Sequence, residues 1–233
     1  MKRILLVDDH PIMRHGLAQL ISLEPDLEVC AQAGSCTEGL AAMNLHKPDL
    51  AVVDLTLPDR HGLELIKDIR ALHPSTQTIV LSMHDEHMYA ERALRAGARG
   101  YVMKETAAEK LITAVRRVLK GGIYVSEAMA STLMEQATGQ RTKPGSGVDQ
   151  LTDRELEVLE WIGKGIASKN IAEALGISVR TVEAHRAHLK DKLGLPDGPS
   201  LVKYAVQWAE GRTGTTYAGA AVTTDAASRS CEQ

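Results

Sequence analysis

The sequence predicts an α/β domain on a doubly wound, five-stranded parallel sheet, followed by a small all-α helix-turn-helix domain. Three observations lead there. Short β-rich runs alternate five times with amphipathic helical patterns over residues 1 to about 120. The β pattern stops at Gly121. A polar stretch with Gly and Pro then precedes a block whose periodicity is helical only.

The β-rich runs are Arg3–Val7, Leu27–Ala31, Leu50–Asp54, Thr78–Ser82 and Gly100–Met103. Helical stripes lie between and after them, at Met13–Ser22, Thr37–Asn44, Leu63–Leu72, Met88–Ala96 and Ala108–Lys120. Right-handed crossovers between successive strands leave few topologies, and the doubly wound sheet is the natural one. Such sheets bind ligands beyond the carboxyl ends of their strands.

Residues 1–120 are therefore read as one domain. Residues 121–147 join it to the next, with a candidate helix at Ser126–Ala137 and a linker over Gly139–Gly147. Residues 148–211 form the second domain. Residues 212–233, rich in Gly, Ala, Thr and Ser, carry no helical stripe and read as a disordered tail.

Composition narrows the function. Apolar residues make up 44% and Phe is absent, so the core must come from Leu, Ile, Val, Ala and Met. The net charge of -3 does not advertise a nucleic-acid partner, so any such role must be local. Cys30, Cys36 and Cys231 have neither zinc nor CxxC spacing, which suits a reducing cytoplasm. The longest early apolar run, Ile4–Val7, is too short for a signal peptide or a membrane span.

Chemistry gathers at the strand ends. Asp8 and Asp9 close the first strand and Asp54 the third, so the sheet brings three carboxylates to one edge. They repel one another unless a cation joins them, and an all-oxygen donor set suits Mg²⁺. Ser82 ends the fourth strand and Lys104 follows the fifth, adding a hydroxyl and an ammonium. Each alone is commonplace: an Asp-Asp pair is usually a turn or a helix cap. Together, at the same end of successive strands, they can receive and hold a phosphoryl group.

The second domain opens on a capping box, Thr152 with Glu155, before Leu156, Val158, Leu159 and Ile162. A short helix at Ser168–Leu175 is closed by Gly176, and Ser178 caps a helix at Val179–Leu193. Two helices across so tight a turn make a helix-turn-helix. The second is locally basic, with Arg180, Arg186, Lys190 and Lys192 facing outward against Glu183 and Asp191. Charge alone would leave it an ordinary solvated helix.

The motifs are more specific. Leu5-Leu6-Val7-Asp8-Asp9-His10, Asp54 to Gly62, Ser82 and Lys104 resemble the receiver domain of two-component response regulators, a flavodoxin-like fold. Leu151-Thr152-x-Arg154-Glu155, Ile171-Ala172-x-x-Leu175-Gly176-Ile177-Ser178, Thr181-Val182-x-x-His185 and Lys192-Leu193-Gly194 resemble the LuxR-type output domain. Together they resemble the NarL/FixJ family.

That resemblance implies Asp54 as phosphoacceptor and Mg²⁺ held by Asp8, Asp9, Asp54 and the Thr56 carbonyl. It implies Ser82 and Lys104 on the phosphoryl oxygens and Tyr101 as an aromatic switch. On the second domain it implies DNA contacts from Arg180, Thr181, Glu183, Ala184, Arg186, Ala187, His188 and Lys190. The implied partners are a sensor histidine kinase, double-stranded DNA with paired half-sites, and a second copy of the chain once phosphorylated. The chain is then a cytoplasmic transcription regulator, neither enzyme nor membrane protein. Two departures stand out: Leu57 where relatives more often have Met, and Glu183 where many have a basic or neutral residue. Two rivals are weighed: an Asp-nucleophile phosphatase, disfavoured because Thr56 stands where that chemistry wants a second Asp, and a protein-interaction adaptor.

Overall fold

A computed structural model describes residues 1–138 and 147–210. The linker expected at 139–147 thus lies outside the described residues except for Gly147, and the tail at 212–233 lies wholly outside them.

The first unit alternates strand and helix as the sequence predicts. Its strands are β1 (Lys2–Val7), β2 (Leu27–Ala33), β3 (Leu50–Val53), β4 (Gln77–Ser82) and β5 (Gly100–Met103). Its helices are α1 (Pro11–Ser22), α2 (Cys36–His46), α3 (Gly62–Leu72), α4 (Glu86–Ala96) and α5 (Ala107–Leu119). All strand pairs are parallel, in the order β2-β1-β3-β4-β5. The strand order reverses between β1 and β3, which opens a crevice beyond their carboxyl ends. Asp8 and Asp54 stand there.

The sheet is buried on both faces, so its strands read as almost unbroken apolar runs. Ile4, Leu6, Val52, Ile79, Leu81 and Val102 pack toward α1 and α5. Their alternates Leu5, Val7, Ala51, Val53, Val80 and Tyr101 pack toward α2, α3 and α4. The period of two makes this division obligatory.

Boundaries shift where capping decides them. Ser35 accepts from the Glu38 amide and starts α2 at Cys36, and Asp85 accepts from the His87 amide and starts α4 at Glu86. Each start precedes the apolar stripe, because an oxygen acceptor rather than hydrophobicity fixes where a helix begins. At Gly62 a Cβ would stand 2.0 Å from the Asp54 carbonyl oxygen, so only glycine lets α3 start so close to the end of β3. The strand pattern also runs past Gly121: Tyr124 forms an isolated parallel bridge with Gly100.

Helix α6 (Glu127–Ala137) follows, with the Ser126 hydroxyl accepting from the Met129 amide. The Ser126 amide in turn donates to Glu86. The second unit opens with a 3₁₀ turn at Gly147–Gln150, then α7 (Asp153–Gly163), α8 (Ser168–Ala174), α9 (Val179–Leu193) and α10 (Gly198–Glu210). Leu156, Leu159, Ile162, Ile171, Val182, Leu189, Leu201 and Ala205 form its core. That core is continuous with the apolar layer beneath α3 and α4, so the two units are docked. No helix among the described residues is long and apolar enough to cross a membrane.

Candidate functional site

Asp8, Asp9, Asp54 and Lys104 come together at the strand ends, and Ser82 closes the neighbouring strand β4. The ladder carries both acids into place: the Asp8 amide donates to the Ala33 carbonyl and the Asp54 amide to the Val7 carbonyl. Lys104 Nζ lies 2.6 Å from Asp54 Oδ2 and 2.8 Å from Asp8 Oδ2. Asp8, Asp54 and Lys104 are all buried, and Asp9 is half-buried beside the His10 ring, 2.6 Å away.

Burial dominates this electrostatics. It pushes the Asp54 carboxyl up to about 6, even though Lys104 opposes the shift. For Lys104, burial pulls downward, but the Asp54 and Asp8 carboxylates outweigh it and raise its pKa. Two buried carboxylates thus share one buried ammonium, which leaves a net negative charge in a poorly solvated place. Asp8 Oδ2 meets Lys104 as a charge contact without an aligned hydrogen bond, and Asp9 Oδ1 has the His10 ring alone. Both oxygens are buried without a hydrogen-bond partner. Asp8, Asp9, His10 and Asp54 offer ligand atoms all within 4.8 Å of one another.

Ser82 is fully buried, and its hydroxyl accepts from the His84 amide at 3.1 Å. Tyr101 is turned inward, and its hydroxyl donates to the His84 carbonyl at 2.8 Å. The Thr56 amide donates to Asp54 Oδ1 at 3.4 Å, and the Thr56 hydroxyl lies 3.0 Å from His84 Nε2. Every one of these residues leads to His84, a position the sequence reading passed over.

His84 reaches the second unit. Its Nδ1 lies 2.7 Å from Glu160 Oε2 on α7. The Thr56 hydroxyl donates to Glu157 Oε1 at 3.2 Å, and Arg154 donates to Glu157 Oε2 at 2.7 Å. Glu157 and Glu160 are both buried. Beside them Arg92 of α4 donates to Asp153 and to the Leu151 and Val148 carbonyls, at 2.9, 2.8 and 3.1 Å. The turn before α9 also closes on the first unit. At Gly176, where φ is +61°, a Cβ would lie 2.8 Å from the Pro58 carbonyl oxygen.

The helix-turn-helix forms as predicted. Thr152 and Glu155 complete the capping box, and Ser178 accepts from the Thr181 amide to start α9. Val182 and Leu189 face inward and are fully buried, with Leu193 half-buried. Of the residues expected to meet DNA, Arg180, Thr181, Glu183, Ala184, Ala187 and His188 are exposed, and Arg186 and Lys190 half-buried. Arg186 Nε lies 3.8 Å from Glu183, and its Nη1 is 3.5 Å from the Ser168 hydroxyl. The docked first unit therefore covers α7 and the turn, and leaves the outer face of α9 open.

Comparison with known proteins agrees with both halves. The family described as "Response regulator receiver domain" matches residues 4–116, and "Bacterial regulatory proteins, luxR family" matches residues 149–205. The oxygen regulatory protein NreC of Staphylococcus haemolyticus is 36% identical over 210 residues, covering 88% of this chain and 97% of that protein. The Staphylococcus carnosus protein of the same name is 35% identical with the same coverage. A crystal structure of a LuxR-family two-component response regulator from Aurantimonas is 35% identical. It covers 59% of this chain and 99% of that one, with a TM-score of 0.55. The RcsB protein of Salmonella enterica serovar Typhimurium, solved on promoter rprA, shares the fold at 24% identity, with a TM-score of 0.59 over 88% of this chain and 98% of that one.

Proposed function

This chain belongs to the two-component response regulators of the NarL/FixJ type, with a receiver and a LuxR-type DNA-binding domain, and on that premise we propose that Asp54 is its phosphoacceptor. It is a phosphorylation-dependent transcriptional regulator. The observation that carries the assignment of Asp54 is its burial at the sheet's crevice with Lys104 2.6 Å away, wired through Thr56 and His84 to the output domain. The domain limits follow as 1–120 for the receiver, 121–147 for the joining segment with α6, 148–211 for the output domain and 212–233 for the tail.

The same edge fits Mg²⁺. Asp8, Asp9 and Asp54, with the Thr56 main-chain carbonyl, would hold it, and the buried oxygens of Asp8 and Asp9 that lack a hydrogen-bond partner support that reading. Bound there, the ion offsets repulsion between the Asp54 carboxylate and the donor's phosphoryl oxygens. The protein's residues do the rest. An Asp54 oxygen bonds to phosphorus as the bond to the donor's nitrogen breaks, the nitrogen keeping the electron pair. The donor is a phosphohistidine on a sensor histidine kinase. Lys104 then pairs with the phosphoryl oxygens, and Ser82 turns its hydroxyl from the His84 amide toward them. The chain is consumed and reset as a substrate and is not itself an enzyme.

Phosphorylation replaces the single carboxylate charge of Asp54 with a phosphoryl group carrying about 1.5 to 2 negative charges, beside Thr56. Thr56 and His84 hold Glu157 and Glu160, so the new charge and the displaced loops both work against that docking. Tyr101 loses its partner when the His84 segment moves, which gives it the switch role. The freed output domain pairs with a second copy of the chain and reads paired half-sites in double-stranded DNA. Arg180, Thr181, Glu183, Ala184, Arg186, Ala187, His188 and Lys190 form the reading face. A DNA target and cysteines without disulfide spacing support a cytoplasmic location.

A gel shift with genomic fragments, with and without a small acyl-phosphate donor and Mg²⁺, tests this reading. Phosphorylated protein should dimerise by light scattering and bind with higher affinity. A phosphoprotein that stays monomeric and binds no better would overturn it.

A further inference from the structure

We propose that Glu155, His185 and His188 form a binding site for a Zn²⁺-like divalent transition metal, which clamps α7 to the DNA-reading helix α9. Among the described residues two clusters bring three or more such side chains within 4.8 Å, this one and the acidic edge around Asp54. They differ in chemistry. The acidic edge is dominated by carboxylate oxygens. Here two imidazoles meet one carboxylate, a donor set that suits zinc, copper or nickel over magnesium.

The local structure prepares each donor. His185 and His188 are three residues apart on α9, so both side chains lie along one face of that helix. Glu155 comes from α7, held by the capping box. The Thr152 amide and Lys192 both bond its Oε2, at 2.8 and 2.7 Å. Its other oxygen, Oε1, is the one 3.7 Å from His188 Nδ1. Two donors at about 2.0–2.1 Å from a tetrahedral ion stand about 3.3 Å apart, so a small movement of the exposed His188 ring would suffice. The bonds on Oε2 orient the carboxylate as outer-shell partners orient metal ligands.

His185 adds the observation that points to a ligand. Its Nδ1 is buried with no hydrogen-bond partner. Burial holds this imidazole below its ordinary pKa, which favours the neutral form that binds metals. Two cations stand nearby, and both are occupied. Arg154 is turned to Glu157 and the Leu175 carbonyl, and Lys192 to Glu155 Oε2. Three protein donors leave a fourth position for water on the open side, where His188 is exposed.

The test uses the full chain in excess Mg²⁺, which occupies the acidic edge, with Co²⁺ as a coloured probe and Zn²⁺ as its competitor. One equivalent of Co²⁺ should give visible absorption of tetrahedral intensity, bleached by Zn²⁺. Zn²⁺ should also raise the unfolding temperature of the output domain, because it binds the folded form. His188→Ala, at an exposed position, should weaken binding roughly tenfold or more, at least the cost of losing an outer-shell partner. Asp9→Asn should leave binding intact. Absence of the band and of the thermal shift in the wild-type chain overturns the proposal. So does undiminished binding in His188→Ala, or its loss in Asp9→Asn, which would move the ion to the acidic edge.

Discussion

Two buried polar clusters lie on either side of Thr56, and they are built on opposite principles. At the strand ends Asp8, Asp54 and Lys104 are all supplied by the sheet and are left one positive charge short. In the seam, Glu157 and Glu160 come from α7, meet Thr56 and His84 from the receiver loops, and are closed by Arg154 and Lys164 at 2.7 and 3.5 Å. The first cluster is electrostatically unfinished, so it can accept an ion and a phosphoryl group. The second is finished, so it holds two domains together until something disturbs it. Joining the two through adjacent loops is what lets a reaction at one be felt at the other.

The contrast breaks most completely at Asp54. Replacing it with Ala should abolish modification by a small acyl-phosphate donor, read as the loss of the phosphate increment in intact mass. Chelating Mg²⁺ from the wild-type chain should have the same effect. Modification that survives in Asp54→Ala would show that another residue carries the phosphoryl group.

The unfinished charge also predicts a pH signature. Burial raises the Asp54 pKa to about 6 from its ordinary 3.8. A raised carboxyl binds its proton more tightly in the folded state. Its stabilising contribution is therefore complete below the ordinary pKa and is lost as pH rises through about 6. Asp54→Asn should lack that fall, which calorimetry on both proteins between pH 4 and 7 would reveal. Only the carboxylate attacks phosphorus, so at low Mg²⁺ the rate of modification should drop about tenfold per pH unit below that midpoint. More Mg²⁺ should move the midpoint to lower pH, because the cation favours the ionised form. A midpoint that ignores Mg²⁺ would mean the ion does not touch Asp54.

The seam should respond more mildly. Arg92→Ala deletes donors to Asp153 and two carbonyls from a partly exposed receiver surface. Hydrogen bonds from a charged donor contribute about 1.5–3 kcal/mol each in favourable cases, so their loss should favour the undocked form by about 1–3 kcal/mol in net. That is roughly a five- to 150-fold shift in the docking equilibrium, visible as a larger radius of gyration in X-ray scattering. An unchanged radius, with intact receiver stability, would show that the apolar contacts alone hold the domains.

These differences match what the sequence could and could not disclose. Asp8, Asp54, Ser82 and Lys104 were legible because each sits at the end of a strand. Five strands read in order fix one edge. Ser178 was legible as the start of α9 because a capping hydroxyl just before a helical pattern marks where a helix begins. His84, Glu157 and Glu160 were not. They meet across 73 to 76 residues of chain, through a docking geometry that no local period encodes. The Glu155–His188 contact was hidden in another way. The capping box explained Glu155 fully, and nothing in a helix start announces that its second oxygen faces a histidine on another helix.

The smallest expected effect lies on the exposed face of α9. Glu183 is exposed, 3.8 Å from Arg186 Nε and three residues before it, which is the local pairing an isolated helix would also make. Such a pair contributes only about 0.2–0.5 kcal/mol, so Glu183→Gln should barely move the unfolding temperature. Any change on DNA must then come from contact with DNA. Glu183 opposes the phosphate field, so its neutralisation should tighten binding to every sequence. If its carboxylate accepts from a cytosine amino group, losing that acceptor should relax choice at one base pair. Arg186 already competes for the carboxylate, so the cost should sit near the low end, about 1 kcal/mol. Lys190→Ala is the companion measurement: it should weaken binding uniformly and flatten the salt dependence by about one unit of slope, as a phosphate contact does. Binding-site selection with the wild-type chain and Glu183→Gln separates the cases. If both enrich the same motif with the same information at every position, Glu183 serves only its pairing with Arg186, and base reading on this face belongs to its neighbours.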